Sequence, residues 1–197
     1  MACVTGTAPW QWEDVVTDLG LRQADVAQQS DVVVIRTLDD IATAHRDGTV
    51  GLIFGLEAAT PIHNEVDKLD VLYGLGVRQI GIAYSDSNAL GSGLNERVDG
   101  GLTALGQRAV RRMNQLGPAI DISHSGDRTG IETCRASQVP VLMTHAGARA
   151  LWDIPRLKSD DALRAVGPTS RVRSTQSGAA PGWFGRRRLG DAACGSR

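Results

Sequence analysis

Cysteine is scarce in this chain: Cys3, Cys134 and Cys194 stand far apart, and no CxxC pair occurs. That excludes a disulfide framework of the small secreted kind and fits reduced thiols in a cytosol. Charge of one sign is also lacking, with 21 Lys and Arg against 22 Asp and Glu. No global field draws the chain to nucleic acid or to an anionic membrane, so neither is expected as a partner. Long hydrophobic runs are missing too, none approaching the ~18 residues of a membrane span. The opening MACVTGTAPWQWEDVV has no basic start followed by an apolar core, so nothing in it reads as a secretory leader. The expectation is a soluble, cytoplasmic protein.

What is present is a rhythm. A length of 197 residues suits one domain with a sizeable core. Apolar residues recur at helical spacing over 12–29 and 37–47, while SDVVVIRT between them is too short to assign to strand or helix. From residue 50 the alternation is clear. VGLIFGLEA reads as a strand and NEVDKLDVLYGLG as a helix capped by Asn64 and ended by Gly76. VRQIGIAYS is a strand, LTALGQRAVRRMNQLG a helix closed by Gly117, AIDISH a strand, DRTGIETCRAS a helix, VPVLMTH a strand and SDDALRAV a helix. Near-continuous apolar strands separated by amphipathic helices predict an α/β fold with a helix-covered parallel sheet.

Two of those strands, AIDISH and VPVLMTH, run directly into a histidine, His124 and His145, and then into small residues. Glu57 and Tyr84 end two others. Polar groups gathered at the C-terminal ends of successive strands are the signature of a (β/α)8 barrel active face. A dinucleotide fold would need a Gly-rich turn leaving its first strand, whereas GLGVRQIG enters one. The expected fold is therefore a TIM barrel of metal-dependent hydrolase type. Two imidazoles and a carboxylate form an N/O ligand set suited to zinc or a similar divalent ion, and such an ion acidifies water and polarises a carbonyl.

The segments GLIFGLEAA, LGVRQIGIAYSDSNALGSG, GLTALGQRAVRRMNQLGPAIDISHSGDRT, VPVLMTHAGARAL and IPRLKSDDALRAV together resemble the membrane dipeptidase, or renal dipeptidase, family over about residues 50–166. The resemblance implies a binuclear zinc barrel that hydrolyses dipeptides through a metal-bound hydroxide, including dipeptides with a C-terminal D-residue. It implies Glu57 as the carboxylate bridging the two ions, with His124 and His145 completing one ion's ligands. Arg156 falls where the family holds the substrate's terminal carboxylate, a role suited to a planar guanidinium. Tyr84 stands where members carry a histidine beside the scissile carbonyl; a phenol donates a hydrogen bond to an oxyanion but carries no positive charge. Asn88 is expected to line the pocket. A dipeptide substrate and a homodimer are the partners this reading allows.

The chain departs from the family pattern in several places. The family's His-x-Asp pair on the first strand and its late aspartate have no counterpart, so one complete zinc ligand set is recognisable and catalytic competence is open. His45-Arg46-Asp47 has the spacing of the pair but closes a helix before Gly48, which places it at the barrel's structural face. His63 is expected to be a solvated or capping residue. A full barrel takes ~250 residues, and about half is recognisable, within a domain at 1–166. Residues 167–197 turn to Gly, Arg, Ser and Ala, with six arginines against Asp191. They are expected to form a disordered tail, read as an out-of-frame extension accompanying an N-terminal truncation. The alternative function is a non-catalytic remnant of a dipeptidase, and hydrolysis of a cyclic amide is weaker still. Trp10, Trp12 and Trp152 are expected to pack, Met143 to be a core strand residue, and Asp160 and Asp161 to favour a helix N-terminus.

Overall fold

A computed structural model of the chain describes residues 2–3 and 11–169. Strand β1 is Ala2–Cys3, followed by helix α1 (Trp12–Ala27), β2 (Val32–Val34), α2 (Leu38–Asp47), β3 (Val50–Leu52) and β4 (Phe54–Leu56). A 3-10 turn at Thr60–Ile62 leads to α3 (Lys68–Gly74), β5 (Val77–Gly81) and α4 (Ala104–Leu116). Then come β6 (Ala119–Asp121), α5 (Asp127–Ala136), β7 (Val141–Leu142) and α6 (Asp160–Thr169). SDVVVIRT is resolved as a strand, because Val32, Val33 and Val34 pair in register with Val50, Gly51 and Leu52.

All strand pairs are parallel. The main sheet has the order β1-β4-β5-β6-β7, and β2 with β3 forms a second, two-stranded sheet. Among the described residues the strands therefore form an open α/β sheet and a separate pair, not a closed barrel. The stretch 50–58, expected as one strand, is two: the chain leaves the small sheet at Leu52 and joins the main one at Phe54. A two-fold apolar pattern is blind to such a change of partner, since β3 and β4 read alike along the chain.

Burial follows from parallel pairing. Phe54, Leu56, Val77, Ile80, Ile120, Ile122 and Val141 are all buried and share one core with Leu69, Leu72, Val110 and Met113 from α3 and α4. Strands covered on both faces carry apolar residues at successive positions. Helix ends are set locally. In α2, Thr37 Oγ1 accepts from Asp40 N while the Asp40 carboxylate accepts from Thr37 N, a reciprocal capping box. Gly48 then closes the helix in the left-handed region at φ 69°. In α4, Thr103 Oγ1 accepts from Gly106 N at 2.9 Å, and Gly117 ends the helix at φ 103°.

Three local expectations are corrected. Asn64 does not cap a helix: α3 begins at Lys68 after Asp67, four residues later, because Thr60–Ile62 and the turns after it take up the intervening chain. Trp152 does not pack; it is 69% exposed in a turn after Ala148. Met143 is in the core but lies just past β7. Trp12 packs against the core and beneath the Lys68 ammonium, and Cys134 is buried and in no disulfide. Trp10 and residues 170–197, which hold most of the expected tail and Cys194, lie outside the described residues. Helix α6 continues to Thr169, past Val166. No helix among the described residues is long and apolar enough to cross a membrane.

Candidate metal centre

The two histidines meet because of register. Asp121 at the end of β6 pairs with Leu142 at the end of β7, and each histidine lies three residues beyond. Gly81 at the end of β5 pairs in turn with Asp121, and three residues beyond it stands Tyr84. The same offset from three aligned strand ends brings three rings to one level. Tyr84 stacks on His124 at 4.1 Å between centroids and 24° between planes, and His124 meets His145 at 4.8 Å and 60°. Glu57 arrives from β4, directly after Leu56. Ala59 N donates to Gly81 O at 2.7 Å, and a Cβ on Gly81 would collide with Glu57 O. Only a glycine there lets the end of β4 lie so close to β5.

One ligand atom from each of Glu57, His124 and His145 lies within 4.8 Å of the other two. His124 Nε2 is 2.8 Å from His145 Nε2, and His145 Nε2 is 3.8 Å from Glu57 Oε1. Ligands at ~2.0–2.2 Å around a tetrahedral zinc stand about 3.4 Å from one another. Two measured separations bracket that value and the third is at most 4.8 Å, so the donor set fits a single divalent ion once the side chains close in on it. It is the one such group of His, Cys, Asp or Glu among the described residues.

Electrostatics favour a neutral imidazole at His124. Burial, then the charge of Arg156 and the ring of His145, push its pKa down to about 4. His124 Nδ1 is buried without a protein partner. His145 is held differently. Its Nδ1 is 2.7 Å from Thr144 Oγ1, and Thr144 Oγ1 is 2.5 Å from Asp121 Oδ2. The buried Asp121 carboxylate also accepts from Gln79 Nε2 (2.7 Å), Ser123 N (2.9 Å) and Ser123 Oγ (2.6 Å). Sequence reasoning missed this network. Its one signal was the aspartate in the middle of AIDISH, since a carboxylate inside an apolar strand must be paired.

The other expected residues are placed as follows. Arg156 donates to Ser123 O (3.0 Å) and His145 O (2.5 Å), tying together the two strand ends that carry the histidines. Asn88 Nδ2 donates to Ile82 O and Thr60 Oγ1, and its Oδ1 accepts from Leu90 N and Gly91 N, so the amide ties the 82–91 loop together and to the 3-10 turn. His63 is exposed at the end of the 3-10 turn with φ 50°. His45 and Asp47 lie in the last turn of α2, just before β3 begins, away from the strand ends that hold the cluster. Lys158, not singled out in the sequence, is 1% exposed and donates to Ser125 O. A cleft of about 500 Å³ is lined by Leu94, Arg97, Ser125, Asp127, Arg149 and Asp153, and none of Glu57, His124 and His145 lines it.

Known proteins are similar to this chain in sequence and in fold. An uncharacterized protein in the pqqA 5′ region of Klebsiella pneumoniae is 32% identical over 133 residues, covering 64% of this chain and 49% of that protein. The crystal structure of an amidohydrolase from Pseudomonas aeruginosa superposes with a TM-score of 0.79 at 30% identity, covering 84% of this chain and 51% of that one. A metallo peptidase from Rhodobacter sphaeroides, liganded with a phosphinate mimic of the dipeptide L-Ala-D-Ala, gives a TM-score of 0.74 at 26% identity, covering 85% and 49%. The chain spans about half the length of these relatives. The family description for membrane dipeptidases, peptidase family M19, matches residues 16–173, well beyond the 50–166 stretch that carried the resemblance. This chain belongs to the membrane dipeptidase family.

Proposed function

We propose that this chain carries a zinc-dependent dipeptidase site built on Glu57, His124 and His145, acting on dipeptides. The observation that carries the reading is the convergence of three N/O donors from three separate strand ends within 4.8 Å. Bound there, a zinc ion supplies Lewis acidity toward a peptide carbonyl and acidifies water. The chain's own residues do the rest. Tyr84 stands against His124 with its hydroxyl able to donate to an oxyanion, and its stacking fixes the plane of the His124 ring. Arg156, from its two carbonyl anchors, directs a positive charge at the same strand ends and supplies the counter-charge for a substrate carboxylate.

A second reading, a zinc-binding chain that does not turn over dipeptides, is favoured by one observation. The described residues offer a single three-donor cluster, where the family resemblance implies two ions. The experiment separates the two. Purified full-length chain is analysed for zinc content and assayed on a Gly-D-Ala type dipeptide, beside His145→Ala. One zinc and turnover abolished in the variant support the hydrolase; one zinc with no turnover supports the second reading; no zinc in the wild type rejects both.

A further inference from the structure

Resting on the metal-site reading above, we infer that Asp121 and Thr144 are positioning residues that hold His145 in the Nδ1–H tautomer and so present its Nε2 lone pair to the cluster. The argument is a count of protons. Asp121 is surrounded by four hydrogen-bonding partners at 2.5–2.9 Å. Ser123 N can only donate. Gln79 turns its amide nitrogen to Oδ2, since an amide oxygen there would face a carboxylate oxygen. The carboxylate is thereby filled as an acceptor, and the hydroxyls of Ser123 and Thr144 spend their protons on it.

A threonine hydroxyl has one proton. Besides that carboxylate, the acceptors within reach of Thr144 Oγ1 among the described residues are the His145 ring and Ser123 Oγ at 3.4 Å, and a 2.5 Å bond to a charged carboxylate outweighs one to a neutral imidazole or to a distant hydroxyl. Thr144 Oγ1 therefore meets His145 Nδ1, at 2.7 Å, as an acceptor, and that nitrogen must carry the hydrogen. In a neutral ring Nε2 is then bare. Ser123 reinforces the geometry by accepting from His145 N at 3.2 Å, so the same carboxylate steadies both backbone and ring.

In that tautomer His145 Nε2 turns its lone pair toward the Glu57 and His124 donors. Groups in this outer position orient a ligand histidine and raise its basicity, and their loss costs ~10–100-fold in metal affinity.

The test has two readouts on the full chain. Imidazole 15N–1H correlation spectra of the metal-free protein near neutral pH report the tautomers, and titration with zinc against a chromophoric chelator reports affinity. Wild type is expected to show Nδ1–H at His145. Thr144→Val, close in shape but without the hydroxyl, is expected to populate Nε2–H at His145 and to weaken zinc binding ~10–100-fold, and Thr144→Ser is expected to restore both. A wild-type spectrum with Nε2–H at His145 overturns the inference without needing any variant to fold. So does a folded Thr144→Val protein with unchanged tautomer and affinity. A wild type with the expected tautomer that binds no zinc leaves the Asp121–Thr144 relay standing and sinks the metal-site reading instead.

Discussion

At the scale of single residues, the chain spends buried polar groups in two ways. Asp121 is paired on every side, while Lys158 has its ammonium buried on Ser125 O. Desolvation is the main cause that lowers the Lys158 pKa from 10.5 to about 8, and the positive charges of Arg156 and Arg149 add to it. Between those values the unfolded chain binds a proton that the folded chain has already released, so stability rises with pH through the window. Below about pH 8 the full cost of the buried charge is borne. Urea denaturation from pH 7.5 to 10.5 is expected to show that rise, of roughly 3 kcal/mol at most, and Lys158→Met is expected to flatten it. The strand-end histidines and Glu57 could be singled out from sequence, because a polar residue ending an apolar run stands out locally. Thr144 could not: a threonine before a histidine is ordinary until the partner 23 residues away is known. Asn88 was ambiguous for another reason, since an asparagine in a glycine-rich loop reads equally as pocket lining or as loop closure, and its amide bonds to Ile82, Thr60, Leu90 and Gly91.

At the scale of elements, strand ends are positioned by register and by the small residues that permit close approach. Gly81→Ala would drive a methyl group into Glu57 O, and β4 would have to move off β5. The expected result is a loss of about 1–3 kcal/mol, as for other overpacked sites, together with weakened zinc binding, measured by denaturation and by chelator competition. Gly117→Ala lacks any such neighbour and strains only its left-handed cap at φ 103°, so it is expected to cost about 1 kcal/mol while leaving zinc affinity alone. Helix caps were readable wherever they are local, as at Gly48 and Gly117. They were not at Asn64, where Thr60–Ile62 forms a 3-10 turn first. The division between β3 and β4 was hidden because sheet membership is decided by partners distant in sequence.

At the scale of the whole molecule, the alternation of strand and helix sufficed for a parallel α/β fold, and the motifs sufficed for the family. The expected barrel was an incomplete one, and the parallel strands described agree with part of one; strand number and stagger are properties of the complete sheet. The described strands form an open sheet with β1 and β7 at its edges. An ion held by three distant strand ends would stitch β4, β6 and β7 together, so it should stabilise the fold by mass action. Zinc addition is expected to raise the melting temperature, and EDTA to reverse the rise in wild type but to have no effect on His145→Ala. The most direct measurement is anomalous diffraction at the zinc edge from crystals of the full chain grown with zinc. One peak within ~2.2 Å of Glu57, His124 Nε2 and His145 Nε2 is the expected result. No peak there, or an ion bound by other residues, would contradict it.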